Sequence, residues 1–300
     1  MQPTPLLHSH ELSERLRRPV YIKLESRNPT GSFKVRPALN AVLADFAQAK
    51  AKGIVTSSSG NFAQAVAWAA REYGLSAQIV MMRSASAYKR QRTEELGAEV
   101  VLCDDSYASR WETTQRIERE TGRLLLHPYD AVNTIAGDGT IGLELLEQLP
   151  GDFTILCPVS GGGLISGIAS VVKTERPNCR VYGVQPEKNP SMQRSLQAGE
   201  PTEIVPGPSL ADALTVAKPG ALTFRLIKAT VEGVLLVSEE SIARAVNYLW
   251  GVEKLVGEPG GSVGVAASLE GQATGDGSLV LVLSGGNLSA TDFGKLVLAD

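Results

Sequence analysis

The sequence contains very few histidines and cysteines, and this scarcity argues against several common kinds of active site. Only three histidines are present and two of them lie in the N-terminal tail, so a Ser-His-Asp triad or a histidine-rich metal site would depend on His127 alone. The cysteines, also three in number, are far apart and form no CxxC pair, which argues against a disulfide framework or a thiolate metal site. The chemistry must therefore come from lysine, serine, carboxylates or a bound cofactor.

An excess of positive charge is also absent. The chain has 29 Lys and Arg residues against 32 Asp and Glu residues, a formal net charge of -3, so it has no surplus of cations for a nucleic-acid backbone or an acidic membrane surface. The N-terminal segment carries acidic residues and no apolar stretch long enough for a signal peptide. We therefore expect a cytoplasmic protein with no nucleic-acid or membrane partner.

One uncharged stretch, 153–172, has the length of a membrane span. Its interior contains Pro158 and three consecutive glycines, which a spanning helix would not favour. We interpret it as a buried strand, a glycine turn and a helix.

Strand-like and helix-like segments alternate along the chain. The strand-like runs are 78–82, 100–103, 124–126, 154–158, 180–184, 234–237 and 279–284. The helical patterns are 62–73, 88–96, 109–121, 143–149, 164–172 and 241–256. This βαβα order predicts an α/β protein with mostly parallel sheets covered by helices, and the length of 300 residues allows two domains. The segment 186–219, rich in proline and glycine, is interpreted as a surface covering.

Three glycine-containing turns are candidate anion-binding sites. Each precedes or follows an apolar element and exposes backbone N–H groups, and at the start of a helix such groups bind anions. The turns are SSSGN at 57–61, SGGGL at 160–164 and SGGN at 284–287. The second is the strongest, because three glycines cost backbone entropy that a plain chain reversal does not require.

Lys34 is the candidate nucleophile or base. It follows the turn in NPTGSFKVR, 28–36, and stands beside Phe33. An aromatic neighbour that shelters the amine could lower its pKa and so raise its nucleophilicity. This is a hypothesis from one short segment.

Taken together and in this order, the segments resemble one family, the pyridoxal-phosphate enzymes of fold type II, and within it the threonine/serine dehydratases and serine racemases. The resemblance spans nearly the whole chain. It rests on TPL at 4–6, TGSFK, SSGN, GAEVVL at 97–102, HPYD at 127–130, GDGTIGLE at 137–144, SGGGL, GEPGG at 257–261 and SGGN.

The resemblance implies a fold and a function. The fold has two open, twisted, mostly parallel sheets flanked by helices, with pyridoxal 5'-phosphate in a cleft between a large domain, 1–50 and 132–300, and a small domain, 51–131. The implied activity is removal of ammonia from a β-hydroxy amino acid to give a 2-oxo acid, in a homodimer.

The resemblance also implies roles for individual residues. Lys34 matches the lysine that binds the cofactor covalently and removes the α-proton, and Phe33 matches the aromatic residue beside it. The residues that match the phosphate loop are Ser160, Gly161, Gly162, Gly163 and Leu164. Asn61 matches the residue that hydrogen-bonds the hydroxyl of the cofactor ring, and Ser284 matches the residue that contacts the pyridine nitrogen. Glu258 matches a glutamate that lines the site. The residues that match the substrate-carboxylate loop are Ser58, Ser59, Gly60 and Asn61.

Some positions depart from the family pattern. Phe62 stands where histidine is usual, Pro37 where glycine is usual, and Ser160 where a further glycine is common. In the segment GVQPEKNPS, Gln185 and Ser191 replace the glutamate and aspartate of the divalent-cation site of serine racemases. Loss of both carboxylates predicts no metal site and no activation by Mg²⁺ or Ca²⁺.

Alternatives remain at this point. Ser59 keeps a serine racemase open, because the racemases carry a serine before the Gly-Asn pair. An NAD(P)-binding oxidoreductase is the rival of another class, since Gly161, Gly163 and Gly167 follow a strand and Glu187 comes later in the chain. It leaves TGSFK, SSGN and SGGN unexplained. A catalytically silent relative that binds an amino acid is a third reading.

Overall fold

The computed structural model describes residues 2–272, 275 and 277–297. The chain divides into two compact units, one formed by Met1–Phe33 with Asp138–Asp300 and the other by Lys34–Gly137. Each unit has its own sheet and its own hydrophobic core.

The elements alternate along the chain as the sequence predicts. The strands of the described residues are β1 (Leu6–His8), β2 (Val20–Leu24), β3 (Ile54–Ser57), β4 (Ala77–Met82), β5 (Glu99–Cys103), β6 (Leu124–Leu126), β7 (Phe153–Pro158), β8 (Arg180–Pro186), β9 (Gly233–Val237) and β10 (Ser278–Leu283). The α-helices are α1 (His10–Leu16), α2 (Val35–Ala44), α3 (Phe46–Lys52), α4 (Asn61–Glu72), α5 (Ala87–Glu95), α6 (Tyr107–Thr121), α7 (Val132–Gln148), α8 (Gly163–Glu175), α9 (Ser191–Ala198), α10 (Ala221–Thr230), α11 (Glu239–Gly251), α12 (Pro259–Leu269) and α13 (Ala290–Val297).

The first unit contains a six-stranded sheet with the spatial order β1-β2-β10-β7-β8-β9. All neighbouring strands are parallel except β1 and β2, which pair antiparallel. β7 is buried along its whole length, as expected for a central strand covered on both faces by helices. The apolar side chains on the two faces of this sheet form two core clusters.

The second unit contains a four-stranded parallel sheet with the order β5-β4-β3-β6. α4 lies against its core through a nearly continuous alanine-rich face, and Phe62 is the largest buried side chain of that helix. Small alanine side chains allow close packing while keeping high helix propensity.

The α/β class with mostly parallel sheets flanked by helices is confirmed, with several differences in detail. α7 begins at Val132, well before the predicted start at 143. α11 ends at Gly251, so the last residues of the predicted helix 241–256 lie outside the helix. The range 186–219 is more than a covering loop, since α9 lies within it and buries Met192 and Ser195. The uncharged stretch 153–172 forms β7, a turn and part of α8. Within the described part of the chain, no helix is long and apolar enough to cross a membrane.

The domain limits at 50/51 and 131/132 stay a prediction. The resemblance predicts these limits, whereas the compact units of the structure divide after Phe33 and after Gly137.

Candidate active site

Two of the predicted loops lie at the same edge of the sheet in the first unit. β7 and β10 are parallel neighbours, with Leu279 opposite Thr154 and Leu281 opposite Leu156. The SGGGL turn follows β7 and the SGGN turn follows β10. Carboxyl ends of parallel strands are where open α/β sheets bind ligands.

The SGGGL turn has a backbone that only glycine can adopt at its centre. Gly162 has φ 101°, and a Cβ there would lie 2.9 Å from Thr223 Cβ and 2.9 Å from Ile227 Cδ1. Thr223 Oγ1 donates a hydrogen bond to the Gly161 carbonyl at 2.7 Å, which fixes the turn against α10. The turn therefore leads directly into α8, whose first backbone N–H groups have no partner inside the helix.

Ser160 adds a side-chain donor to this turn. Its Oγ is buried and has no hydrogen-bond partner among the described residues. Buried hydroxyl groups are normally paired, so an unpaired one beside the start of a helix fits an anion that accepts its hydrogen bond.

The SGGN turn is tied to the segment that leads to Lys34. The Phe33 N–H donates to the Ser284 carbonyl at 2.9 Å, and the Glu258 N–H donates to the Gly285 carbonyl at 3.0 Å. A Cβ on Gly285 would collide with Glu258 Oε1, so the Glu258 side chain would have to move to admit any other residue. Ser284 and Glu258 are both buried.

In the second unit, the Lys34 amine has a defined environment. Lys34 immediately precedes α2, and its Nζ donates to the Pro128 carbonyl at 2.7 Å. The same amine lies 5.4 Å from the centroid of the Phe62 ring. The aromatic residue facing the amine is thus Phe62, whereas Phe33 packs against the core of the first unit. The position at which the sequence departs from the family is the one that faces the amine.

The SSSGN turn connects β3 to α4. Gly60 precedes the first helical residue, Asn61, and the Gly60 N–H donates to Ser58 Oγ at 3.3 Å. Arg110 Nη1 donates to Ser59 Oγ at 3.4 Å. The turn thus presents the start of a long helix, with small residues around it, as a carboxylate site requires.

Sequence reasoning missed three residues around these turns. Pro128 accepts the bond from Lys34, Thr223 holds the glycine turn, and Arg110 contacts Ser59. Only Pro128 lay in a segment already singled out, HPYD, and no local pattern distinguishes its carbonyl from any other.

Gln185 fills its position with neutral hydrogen bonds. Its Oε1 accepts from the backbone N–H groups of Met192 at 3.0 Å and Gln193 at 3.1 Å, and its Nε2 donates to Ser191 Oγ at 3.4 Å. The fully buried amide therefore caps the first turn of α9. Among the residues that the structure describes, no group of three or more His, Cys, Asp or Glu side chains could hold a metal ion.

We expect Mg²⁺ to leave the protein unchanged. In a chelator-treated sample, added Mg²⁺ should change neither the activity nor the melting temperature, because an amide and a hydroxyl offer no anionic oxygen to a hard cation. Titration of Mg²⁺ and Ca²⁺ in separate samples checks this. An increase of either quantity with either ion would contradict it.

Comparison with known proteins decides the family. The family model described as pyridoxal-phosphate dependent enzyme matches residues 1–285. The chain belongs to this family. Its cofactor is pyridoxal phosphate, and the dinucleotide-binding alternative is not retained.

Similar proteins in this pyridoxal-phosphate family cover almost the whole chain. An L-threonine ammonia-lyase of Thermotoga maritima is 40% identical over 98% of this chain and 73% of its own length. A solved T.th. threonine deaminase has a TM-score of 0.89 and 40% identity, covering 96% of this chain and 94% of its own. A solved maize serine racemase has a TM-score of 0.91 and 35% identity, covering 97% of this chain and 90% of its own.

The residues present fit this cofactor. An aldehyde needs an amine, and Lys34 supplies one that is partly buried beside an aromatic ring. A phosphate needs donors at a helix start, and the Ser160 hydroxyl and the first turn of α8 supply them.

Proposed function

We propose that this pyridoxal-phosphate enzyme is an ammonia-lyase that converts a β-hydroxy amino acid, such as threonine or serine, into a 2-oxo acid and ammonia. The observation that carries the proposal is the Lys34 amine, held by the Pro128 carbonyl beside the Phe62 ring at the start of α2. The names of the similar proteins, threonine ammonia-lyase and threonine deaminase, support the same reaction.

Lys34 has two tasks in this proposal. Its amine would hold the cofactor covalently, and the Nζ, when free, would take the proton from the substrate Cα. The cofactor, when bound, withdraws the charge that develops at Cα. The β-hydroxyl, with a proton, leaves as water, and the unsaturated amine that results takes up one water as it releases ammonia and becomes the 2-oxo acid.

The other residues bind and orient. The proposed phosphate ligands are the backbone and side-chain donors of Ser160, Gly161, Gly162, Gly163 and Leu164. Phe33, Asn61, Glu258 and Ser284 would contact the cofactor ring, Asn61 by a hydrogen bond to its hydroxyl and Ser284 by a contact with its nitrogen. The substrate carboxylate is bound by Ser58, Ser59, Gly60 and Asn61 at the start of α4, where the helix dipole favours an anion.

Ser284 influences the outcome of the reaction. It offers a hydroxyl to the ring nitrogen, which does not hold a proton there as a carboxylate would. Elimination should therefore compete well against transamination.

The test is release of 2-oxo acid from a panel of L- and D-β-hydroxy amino acids in the presence of added cofactor. Release from threonine or serine supports the proposal. A yellow, cofactor-loaded protein that releases no 2-oxo acid from any member of the panel would contradict it.

Serine racemase is the second candidate, because Ser59 places a hydroxyl in the carboxylate turn and a serine racemase is among the similar structures. A racemase needs a second acid on the opposite face of Cα, and Ser59 is the proposed donor. Chiral analysis of L-serine after incubation separates the candidates, because only a racemase forms D-serine. If D-serine forms, Ser59→Ala should stop its formation while 2-oxo acid release continues.

Ser160→Ala should weaken cofactor binding without weakening the apoprotein. The buried hydroxyl has no partner in the described part of the chain, so its removal costs no folding energy, whereas the loss of one hydrogen bond to a charged phosphate should raise the Kd of pyridoxal phosphate by about 10-fold. Absorbance titration of the apoprotein measures the Kd, and urea unfolding measures the stability.

Ser170→Ala is the matched control. Ser170 lies in α8, the helix that follows the turn of Ser160, and its Oγ is likewise buried without a partner among the described residues. It is well inside the helix, away from the first turn. The Kd of pyridoxal phosphate for the Ser170→Ala protein should equal the wild-type value. Equal effects of the two substitutions would contradict the phosphate role of Ser160.

The proposal also includes the domain limits, the oligomeric state and the cellular location. The proposed domains are a large one at 1–50 and 132–300, which includes Lys34 and the phosphate loop, and a small one at 51–131, which includes the carboxylate turn. The protein acts as a homodimer in the cytoplasm. Size-exclusion chromatography with light scattering tests the dimer.

A further inference from the structure

The turn that holds the Lys34 amine is itself held by a histidine. β6 ends at Leu126, and the chain then turns through His127–Asp130 before α7 begins. His127 Nδ1 accepts hydrogen bonds from the backbone N–H of Asp130 at 2.8 Å and of Tyr129 at 3.3 Å. The ring nitrogen therefore closes the turn in the way that an aspartate or asparagine oxygen closes an Asx-turn.

This arrangement requires one protonation state and one tautomer of His127. An atom that accepts two N–H bonds carries a lone pair, so Nδ1 is unprotonated and the ring proton resides on Nε2. Burial, opposed by Asp130 and helped by Lys34, lowers the pKa of His127 to about 4. The imidazole is thus neutral at physiological pH, and it cannot serve there as a cationic acid.

The ring is also fixed in orientation. Trp111 and Tyr129 lie against it at centroid distances of 5.3 Å and 4.7 Å, both edge to face. Thr134 Oγ1 donates to the His127 carbonyl at 2.8 Å, which anchors the residue from the start of α7. A ring held by two aromatic neighbours and by the hydrogen bonds at Nδ1 can position the backbone that it bonds.

Pro128 lies inside the turn that His127 closes. It has no N–H, and its carbonyl is the acceptor of the Lys34 amine at 2.7 Å. The direction of this carbonyl depends on the conformation of the turn, and the turn depends on Nδ1 of His127.

We propose that His127 is a positioning residue that fixes the Pro128 carbonyl and, through it, the Lys34 amine that reacts with the cofactor. The inference rests on the proposed role of Lys34. His127 touches neither reacting atoms nor substrate in this scheme, and its effect passes entirely through the turn.

Two substitutions of His127 distinguish the effect of its hydrogen-bond acceptor from the effect of its ring. His127→Leu keeps apolar bulk against Trp111 but removes the acceptor, and His127→Asn restores an oxygen that can accept the same two N–H bonds. In apoprotein mixed with pyridoxal phosphate, we expect His127→Leu to slow the rise of cofactor absorbance by about 10-fold, the effect of one lost hydrogen bond, and His127→Asn to recover most of it.

A second readout does not use the cofactor. The pKa of the Lys34 amine in the apoprotein is obtained from the pH dependence of its reductive methylation, followed by mass spectrometry of the Lys34 peptide. It should differ from wild type in His127→Leu and return toward wild type in His127→Asn. Equal values in all three proteins, or equal loss in both variants, would overturn the proposal.

A measurement on the wild-type protein covers the case of variants that do not fold. Nitrogen-15 NMR of the histidine rings should show His127 with an unprotonated Nδ1 and a protonated Nε2 between pH 6 and 8, and the opposite tautomer would also overturn the proposal. Failure of the proposed function is a separate outcome: Lys34→Ala would then keep the cofactor absorbance. If Lys34→Ala loses that absorbance while His127→Leu behaves as wild type, only the role of His127 is wrong.

Discussion

Replacing Lys34 with alanine is expected to abolish both the visible absorbance of the protein-linked cofactor and the release of 2-oxo acid. The amine is proposed to bind the cofactor and to remove the α-proton, so its loss removes a nucleophile and a base together. We expect activity to fall by at least about 10³-fold, within the range that a positioned base and nucleophile contribute. Absorbance spectra of the purified protein and a 2-oxo acid assay with excess cofactor measure the two effects.

Two further variants make the result specific. Lys34→Arg keeps a positive charge near the Pro128 carbonyl but forms no covalent link, so it should lose both signals as well. Lys50→Ala changes an exposed lysine in α3 of the same compact unit and should keep both. A yellow and active Lys34→Ala protein would discard the assignment of Lys34.

Replacing Gly162 with alanine is expected to give the largest loss of stability among the substitutions considered. A φ of 101° costs a residue with a Cβ about 1–2 kcal/mol. The new Cβ would also lie within 3.0 Å of Thr223, Ile227 and Met192, which adds about 1–3 kcal/mol of overpacking. Ile227 and Met192 approach with flexible side-chain ends, but Thr223 Cβ is next to the backbone and cannot move away easily. Urea unfolding of the apoprotein should thus show a loss of about 2–5 kcal/mol.

The same substitution should weaken cofactor binding, because the turn that presents Ser160 and the first N–H groups of α8 is displaced. Gly97→Ala is the matched control: Gly97 has φ 92°, and an added Cβ there meets nothing within 4 Å. It should lose only the conformational part, about 1–2 kcal/mol, and should bind pyridoxal phosphate as wild type does. If both variants lose the same free energy of unfolding and bind pyridoxal phosphate with the same Kd, the glycine turn is neither tightly packed nor part of the cofactor site.

A comparison of β7 and β10 with β2 shows why some strands are visible in the sequence and β2 is not. β7 and β10 are covered on both faces, so they appear as continuous apolar runs. β2 contains Lys23, whose charge suggests an exposed segment. In the structure Lys23 is fully buried and its amine donates to Glu144 at 2.5 Å, to Gln148 at 2.9 Å and to the Thr4 carbonyl at 2.9 Å. Two of these partners, Glu144 and Gln148, lie more than a hundred residues away along the chain, so the sequence near Lys23 gives no sign of them.

Glycine explains why two helices were missed or shortened. The first half of α7 contains Gly137 and Gly139, and α12 contains Gly261 and Gly264, all of which lower helix propensity. A Cβ on Gly261 would lie 2.6 Å from the Gly285 carbonyl, and one on Gly264 would lie 3.2 Å from the Leu156 carbonyl. These glycines serve close packing of the helix on other backbone segments, and tertiary contacts override the local preference.

Residue type and order alone determined the family, through a succession of segments that indicates a pyridoxal-phosphate enzyme. They also predicted the site chemistry, from an amine in a short turn and three glycine turns that can bind anions. Such features are local, so composition and spacing are sufficient to reveal them. Folded contacts were needed to show that Phe62 faces the Lys34 amine, that the Pro128 carbonyl accepts its hydrogen bond, and that His127 is a neutral acceptor and no proton carrier. Each of these depends on a contact or an orientation that folding creates, and on burial, which sets the protonation of a side chain and has no counterpart in the order of residues.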